Sequence, residues 1–330
     1  MPVPGVSARK RQLLAALADG EFHSGQQLAA RAGISRSAVW KHVRGLTALG
    51  LDIEGVTGRG YRLAAPVELL DAAAIRAHLD RAGTAPLQVE VLFETASTNR
   101  CLFEQPDGTV HGRAVLAEYQ SAGRGRGDNR WLAAPAGGLC LSLGWRYEAA
   151  PASLTGLSLA AGVAVAGALQ AAGCSGVGLK WPNDVMADNA KLGGILVESR
   201  LQGAGPCEIV IGVGVNMHLP EQLARSLDRR VTDLATLQGS ALPSRNRLAA
   251  AIIAGLASML ERYGREGFAA FISDWRRLDA GCDRDAVLLQ GGRQSRGHIA
   301  GIDDNGLLIM IVEGERRKFS SGELSLRLLK

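Results

Sequence analysis

Aromatic residues make up only 5% of the 330-residue chain, cysteines number five, and no apolar run is long. Each scarcity excludes something. Cys101, Cys140, Cys174, Cys207 and Cys282 stand singly, odd in number and without a CxxC pair, so reduced core thiols are expected and not a disulfide framework. The six histidines show no HExxH or other ligand spacing, which argues against a zinc site held by the protein. The longest weakly polar stretch, residues 157–169, is too short to span a bilayer and reads as a buried core helix. No basic-then-apolar segment opens the sequence, so a cytoplasmic protein with no membrane partner is expected. Signatures with firm rules also fail. A P-loop is absent, Asp128 and Met217 each break a would-be GxGxxG, and there is no GxSxG elbow. Common kinases, dehydrogenases and hydrolases are thereby disfavoured.

What is present is enough apolar sequence, 47%, for two or three domains, and a charge that is unevenly placed. Residues 1–63 hold nine Lys and Arg (Arg9, Lys10, Arg11, Arg31, Arg36, Lys41, Arg44, Arg59 and Arg62) against Asp19, Glu21, Asp52 and Glu54. The other 267 residues carry 28 charges of each sign, so the whole net charge of +5 sits at the N-terminus. A basic module on a neutral body points to a polyanion as the module's partner.

Within that module, leucines 13, 14 and 17 recur at helical spacing over residues 9–18. Ser24 and Gln27 have the spacing of a capping box that opens a short helix over 25–32, and Gly33 ends it. Ser35 caps a third helix running to Leu49, with Val39, Val43 and Leu46 as its buried stripe. Ser35, Arg36, Ser37, Lys41 and Arg44 then lie near its start or off the stripe, as a recognition helix presents residues to a major groove. Residues 53–63 read as a hairpin with Arg59 at its tip, a wing suited to a phosphate or minor groove. A protein-binding module with a solvated basic face is the rival reading, but charge, helix spacing and wing agree on DNA. The stretch resembles the winged helix-turn-helix of bacterial repressors.

Ala64-Ala65-Pro66 reads as a linker, followed by a helix over 67–79. Strands are expected over 87–93, 114–120, 138–145, 177–181, 192–201 and 208–218, the last two as an antiparallel hairpin. Helices are expected over 155–172, 248–263 and 268–278. From residue 285 the texture changes to short β runs separated by Gly291-Gly292 and Asp304-Asn305-Gly306, as in a small barrel. The expectation is an α+β protein in three domains: residues 1–66, a central mixed-sheet domain over 67–278, and a small SH3-like β-barrel over 279–330.

Polar clusters interrupt the apolar strands of the middle domain. The sharpest is Gly123-Arg124-Gly125-Arg126-Gly127. Glycines let backbone approach a ligand, and two arginines offer forked donors to phosphate or carboxylate oxygens. Taken alone, the same residues serve equally well as a basic surface turn. Ser97-Thr98-Asn99, Gln120, Lys180-Trp181-Pro182-Asn183-Asp184, Lys191 and Gly212-Val213-Gly214-Val215-Asn216 are the other clusters.

In their order these motifs, with Trp131, Lys191-Leu192-Gly193-Gly194-Ile195-Leu196-Val197-Glu198 and Gly322-Glu323-Leu324-Ser325-Leu326-Arg327, resemble the bifunctional biotin protein ligases that are also biotin-operon repressors, the BirA type. With the N-terminal module the resemblance covers nearly the whole chain. It implies that a biotin carboxylate attacks the α-phosphate of ATP to give biotinyl-5′-AMP, which a lysine of the biotin carboxyl carrier protein then attacks. It also implies Mg²⁺ as the metal, operator DNA as a partner, and a homodimer when the adenylate is bound.

By the same resemblance, Ser97, Thr98, Asn99, Gln120, Gly123, Arg124, Gly125, Arg126, Lys191, Gly193 and Gly194 are the expected biotin site. Arg126, Trp131, Lys180, Asn183, Lys191, Asn216, Glu323 and Arg327 are expected at the nucleotide. Arg124, Arg126, Lys191 and Asp184 are expected to carry the chemistry, with Asp184 the expected contact to a Mg²⁺ that the protein alone does not hold. One departure stands out. The family loop commonly continues Arg-Gly-Arg, whereas here Gly127-Asp128-Asn129 precedes Arg130, and a looser grip on the adenylate is expected. Two rival readings are a biotin-responsive regulator without ligase activity, and a lipoate ligase. The second is disfavoured because the RRxxGGG run expected of lipoate ligases is missing.

Overall fold

The computed structural model describes residues 4–84, 87–148, 153–201, 205–290, 293–321 and 324–329. Its first elements are α1 (Pro4–Leu17), α2 (Gly25–Ala32) and α3 (Arg36–Ala48), which bury Leu13, Leu14, Leu17, Leu28, Val39, Val43 and Leu46 on one another. The capping box is formed: the Gln27 N–H donates to Ser24 Oγ at 3.2 Å and the Ser24 N–H to Gln27 Oε1 at 2.9 Å. Gly33 stops α2 in the left-handed region at φ 60°, where glycine carries no side-chain penalty. Ser35 caps α3 through the Ala38 N–H. β1 (Ile53–Val56) and β2 (Gly60–Leu63) pair antiparallel as the wing. α1 starts earlier than residue 9 because its first turn has no leucine spacing to betray it.

The helix expected over 67–79 is displaced to α4 (Ala72–Arg81). Asp71 caps it, its Oδ1 accepting from the Ala74 N–H at 2.7 Å, while the Leu70 N–H is drawn to buried Glu118. Tertiary hydrogen bonding outcompetes local helix formation for residues 67–70.

The central sheet follows: β3 (Gln88–Thr95), α5 (Thr98–Phe103), β4 (Arg113–Gln120), β5 (Gly138–Tyr147), α6 (Leu157–Ala171), β6 (Gly178–Lys180), β7 (Asp184–Ala187), β8 (Ala190–Leu201) and β9 (Cys207–Asn216). The strand order is β3-β4-β5-β9-β8-β7-β6, with β3–β4 parallel and the other neighbours antiparallel. β7 was hidden in the sequence because all four of its residues are buried, so no polar–apolar alternation marks it. Two further short helices, α7 (Glu221–Arg225) and α8 (Leu234–Gln238), precede the long α9 (Arg245–Glu266) and α10 (Ile272–Leu278). α4, α6 and α9 pack together against the sheet, and α6 is buried along most of its length.

The C-terminal strands are β10 (Asp285–Gln290), β11 (Arg293–Ile302), β12 (Leu308–Val312), β13 (Glu315–Phe319) and β14 (Leu324–Leu328), in the order β13-β12-β11-β10-β14. Among the described residues the two edge strands do not pair, so this is a five-stranded antiparallel sheet and no closed barrel is seen. The Gly291-Gly292 turn lies outside the described residues. Ala286, Leu288, Ile299 and Met310 merge with the central core. The Trp181 Nε1–H donates to Gly306 O at 3.1 Å, and Trp181, only 1% exposed, contributes about 2–3 kcal/mol by burial. The third unit is thus seated beside the Lys180–Asp184 turn.

Candidate functional site

The polar clusters converge on one cleft of about 1130 Å³. Its inner end is built by the start of α5 and the ends of β4 and β5. Ser97 holds the position before α5 and lines the cleft, and its hydroxyl makes no cap bond to the helix. The Thr98 N–H donates to Gln120 Oε1 at 2.8 Å, and Asn99 Nδ2 donates to Glu198 Oε2 at 2.8 Å. The Ser142 hydroxyl, fully buried on β5, lies 2.7 Å from Thr98 Oγ1 and 2.5 Å from Asn99 Oδ1. These amides and hydroxyls are therefore held in fixed directions before any ligand arrives.

Two glycines of β9 form the floor. A Cβ on Gly212 would fall 3.2 Å from Asn99 Nδ2 and nearer still to Oδ1, and one on Gly214 would fall 2.7 Å from Trp131 Cδ2. Their absence of side chain lets Asn99 and the Trp131 indole lie directly on the strand. A Cβ on Gly194 would fall 3.2 Å from Lys191 Nζ and 3.7 Å from Trp131 Cζ3, whereas Gly193 abuts Gly214 O and serves strand packing.

Residues 123–131 fold back on themselves as a small two-armed loop. The Trp131 N–H donates to Gly123 O at 3.0 Å and the Gly125 N–H to Asn129 O at 2.8 Å, with Gly127 at φ 58° near the tip. Arg124 Nη1 pairs with Glu198 Oε1 at 2.8 Å, so Glu198 holds both Asn99 and the loop. Arg126 projects inward, and burial outweighs the pull of Asp184 to set its pKa below the ordinary arginine value.

At the far wall, Asp184 sits between Lys180 Nζ, at 2.7 Å, and Lys191 Nζ. Burial alone would raise the pKa of this carboxyl, but the two ammonium groups prevail and bring it to about 2. Lys191 is lowered from the ordinary lysine value by burial, against the opposing pull of Asp184. Nine Lys and Arg line the cleft against Asp128, Asp184 and Asp228, an excess fit for a polyanion.

Of the other expected residues, Asn183 lines the cleft and Asn216 does not. Asn183 Nδ2 donates to Ile195 O at 2.8 Å, pinning the turn to β8, and Asn216 Nδ2 donates to Thr232 O at 3.0 Å. Both brace backbone. Arg327 lies at the rim, 3.6 Å from Asp228 Oδ2, and Glu323 lies outside the described residues. Ser142 and Glu198 went unassigned in the sequence. Serine in an apolar strand carries no motif, although Glu198 closes the quoted Lys191–Glu198 run.

On the N-terminal unit, Ser35, Arg36, Ser37, Lys41 and Arg44 are all exposed on or beside α3. Trp40, 52% exposed, shares that face, with the Arg44 guanidinium 4.7 Å from its ring. Arg59 lies on the wing turn, 4.0 Å over the Phe22 ring, and Arg62 flanks the same ring at 4.7 Å. Neither aromatic was anticipated, since a lone Trp or Phe in an amphipathic segment reads as core.

Comparison with known proteins decides what these units are. The biotin/lipoate A/B protein ligase family matches residues 94–216, an HTH domain matches 9–62, and the biotin protein ligase C-terminal domain matches 286–327. The bifunctional ligase/repressor BirA of Salmonella typhimurium is 40% identical over 318 residues, 96% of each chain. The chain belongs to the BirA family. Another relative, the biotin–[acetyl-CoA-carboxylase] ligase of Mycobacterium tuberculosis, is 36% identical over 77% of this chain and 95% of its own. Among solved structures, the biotin protein ligase of Aquifex aeolicus in complex with biotin and ATP is similar at 26% identity and TM-score 0.62, over 73% of this chain and 99% of that one. Most of the cleft's lining lies in the part that matches the ligase model, with residues 228–230, 284 and 326–329 added from beyond it, and the basic module lies in the part that matches the HTH domain.

Proposed function

We propose that the cleft activates biotin with ATP and passes it to a lysine of the biotin carboxyl carrier protein of acetyl-CoA carboxylase, and that the N-terminal unit represses biotin-synthesis genes. The observation that carries this is the convergence, in one cleft, of a pre-set amide and hydroxyl pocket and a wall of cations. The BirA relatives, named ligase and repressor together, support both halves.

In this reading Ser97, Thr98, Asn99 and Gln120 hydrogen-bond the ureido ring of biotin, with Gly123 to Arg126, Lys191 and Gly194 around the rest of it. A carboxylate oxygen of biotin attacks the α-phosphorus, the bond to the β-phosphate oxygen breaks, and pyrophosphate leaves with that electron pair. Lys191, Arg124 and Arg126 neutralise charge as it develops, which is the main requirement of such a transfer. Trp131 borders the adenine. Lys180, Asn216 and Arg327 contribute charge or bracing nearby.

Magnesium is a separate matter. Among the described residues no cluster of three or more His, Cys, Asp or Glu side chains is placed to hold a metal, and both oxygens of Asp184 are engaged by lysines. These residues do not fit a protein-held ion. Mg²⁺, if used, is brought by the nucleotide's phosphates, and no step here depends on it.

The domain division at 66 and 278, an SH3-like curl of the C-terminal sheet, action in the cytoplasm, and adenylate-driven homodimerisation on an operator complete the reading. The register shift between Ile299 and Ile302 supports the curl, because bulges bend a sheet. Among the described residues no helix is long and apolar enough to cross a membrane. Biotin-dependent ATP–pyrophosphate exchange tests the enzyme. It is expected in the wild-type protein and lost in Lys191→Ala; a protein that binds biotin without exchange would be a regulator only.

A further inference from the structure

Four cations that line the cleft, Arg130, Arg229, Arg230 and Arg284, have no part in the assignment above. Arg229 belongs to residues 228–232, a segment laid alongside Lys191: the Lys191 N–H donates to Arg230 O at 3.0 Å and the Thr232 N–H to Lys191 O at 3.0 Å. Asn216 braces the same segment through Thr232 O. Arg229 is exposed and lines the cleft, and its Nη2 donates to Asn129 Oδ1 at 3.2 Å on the glycine loop. Among the described residues no carboxylate pairs with it, whereas the neighbouring Asp228 faces Arg327. Asn129 is a neutral acceptor, so it aims the guanidinium without cancelling its charge.

We propose that Arg229 binds the β- and γ-phosphates of the nucleoside triphosphate and the pyrophosphate that leaves, with Asn129 as the positioning residue that aims it. The inference rests on the ligase reading. Its geometry follows from depth: Lys180, Lys191 and Asp184 lie buried or half-buried on the far wall, and the exposed Arg229 lies outside them on the same wall. An α-phosphate at the inner cations leaves the outer phosphates at the rim. When the bond between the α-phosphorus and the bridging oxygen breaks, negative charge grows on the β-phosphate, where a pre-aimed cation counts most.

Calorimetric titration of the full chain with inorganic pyrophosphate tests the assignment directly. Arg229→Met is expected to weaken pyrophosphate binding by about tenfold or more, the loss of one charge-assisted hydrogen bond. Arg229→Lys should recover part of the affinity, and Asn129→Ala should lose less than Arg229→Met. In exchange assays the Michaelis constants for ATP and pyrophosphate rise in Arg229→Met while the affinity for biotin alone is unchanged. Equal pyrophosphate affinity in wild type and Arg229→Met overturns the proposal, as does a parallel fall in biotin affinity. Absence of exchange in the wild-type protein would instead overturn the ligase reading, and the pyrophosphate titration still judges Arg229.

Discussion

Replacing Asp184 by asparagine removes the one carboxylate that separates Lys180 from Lys191. The amide keeps the volume and loses the charge. With the carboxyl pKa brought from 3.8 to about 2, linkage gives a contribution of roughly 2 kcal/mol to stability at neutral pH. The sign is that of a depressed acid: the contribution is complete above the unfolded value of 3.8 and is lost as the pH falls through about 2. Asp184→Asn should therefore lose roughly 2 kcal/mol in urea unfolding followed by tryptophan fluorescence, and the loss should be the same at pH 5 and pH 8. Two ammonium groups left facing each other add to it and favour a neutral lysine, so pyrophosphate exchange should fall as well. Unchanged stability at pH 7, or a loss that opens only above pH 6, would refute the argument.

Three other perturbations are sharply defined. Glu198→Ala strands the Asn99 amide and frees Arg124, whereas Glu198→Gln keeps an acceptor for Asn99; calorimetry should find biotin about tenfold weaker in the alanine variant than in the glutamine one. Identical affinities would mean that Glu198 does not position Asn99. Phe22→Leu removes the ring under Arg59 and Arg62 and should weaken DNA binding about threefold at low salt, as read by fluorescence anisotropy, with the helical unit still folded. Asp279 accepts from the Gly281 and Cys282 N–H groups, and burial raises its carboxyl to about 6. A raised acid holds its proton more tightly in the folded state, so its cost is present above pH 6 and relieved on acidification. Moving from pH 7 to 5 should stabilise the wild-type protein by about 1 kcal/mol from this group, and Asp279→Asn should abolish that gain.

Much of the architecture was legible because its signals are local. The Ser24 capping box, the Ser35 cap, the Gly33 stop and the wing around Arg59 depend on residues a few positions apart, and each formed where the sequence put it. The charge division between residues 1–63 and the rest is a property of composition and needs no fold. The motif clusters were also visible as polar interruptions of apolar strands, and the cleft does gather Ser97, Gln120, Arg124, Lys180 and Lys191.

What only the tertiary structure decided is the direction in which side chains spend their hydrogen bonds. Asn183 and Asn216, expected at the nucleotide, also brace backbone, because β8 and residue 232 place carbonyls within reach. Residues 67–70 stay out of a helix because Glu118, 48 positions beyond Leu70, claims its N–H. Ser142, Glu198 and Arg229 acquire their roles from partners 43, 99 and 100 residues away. Local sequence fixes caps, turns and charge because their energies are made within a few residues; partners in a cleft are chosen by packing, and packing is settled only when distant strands meet.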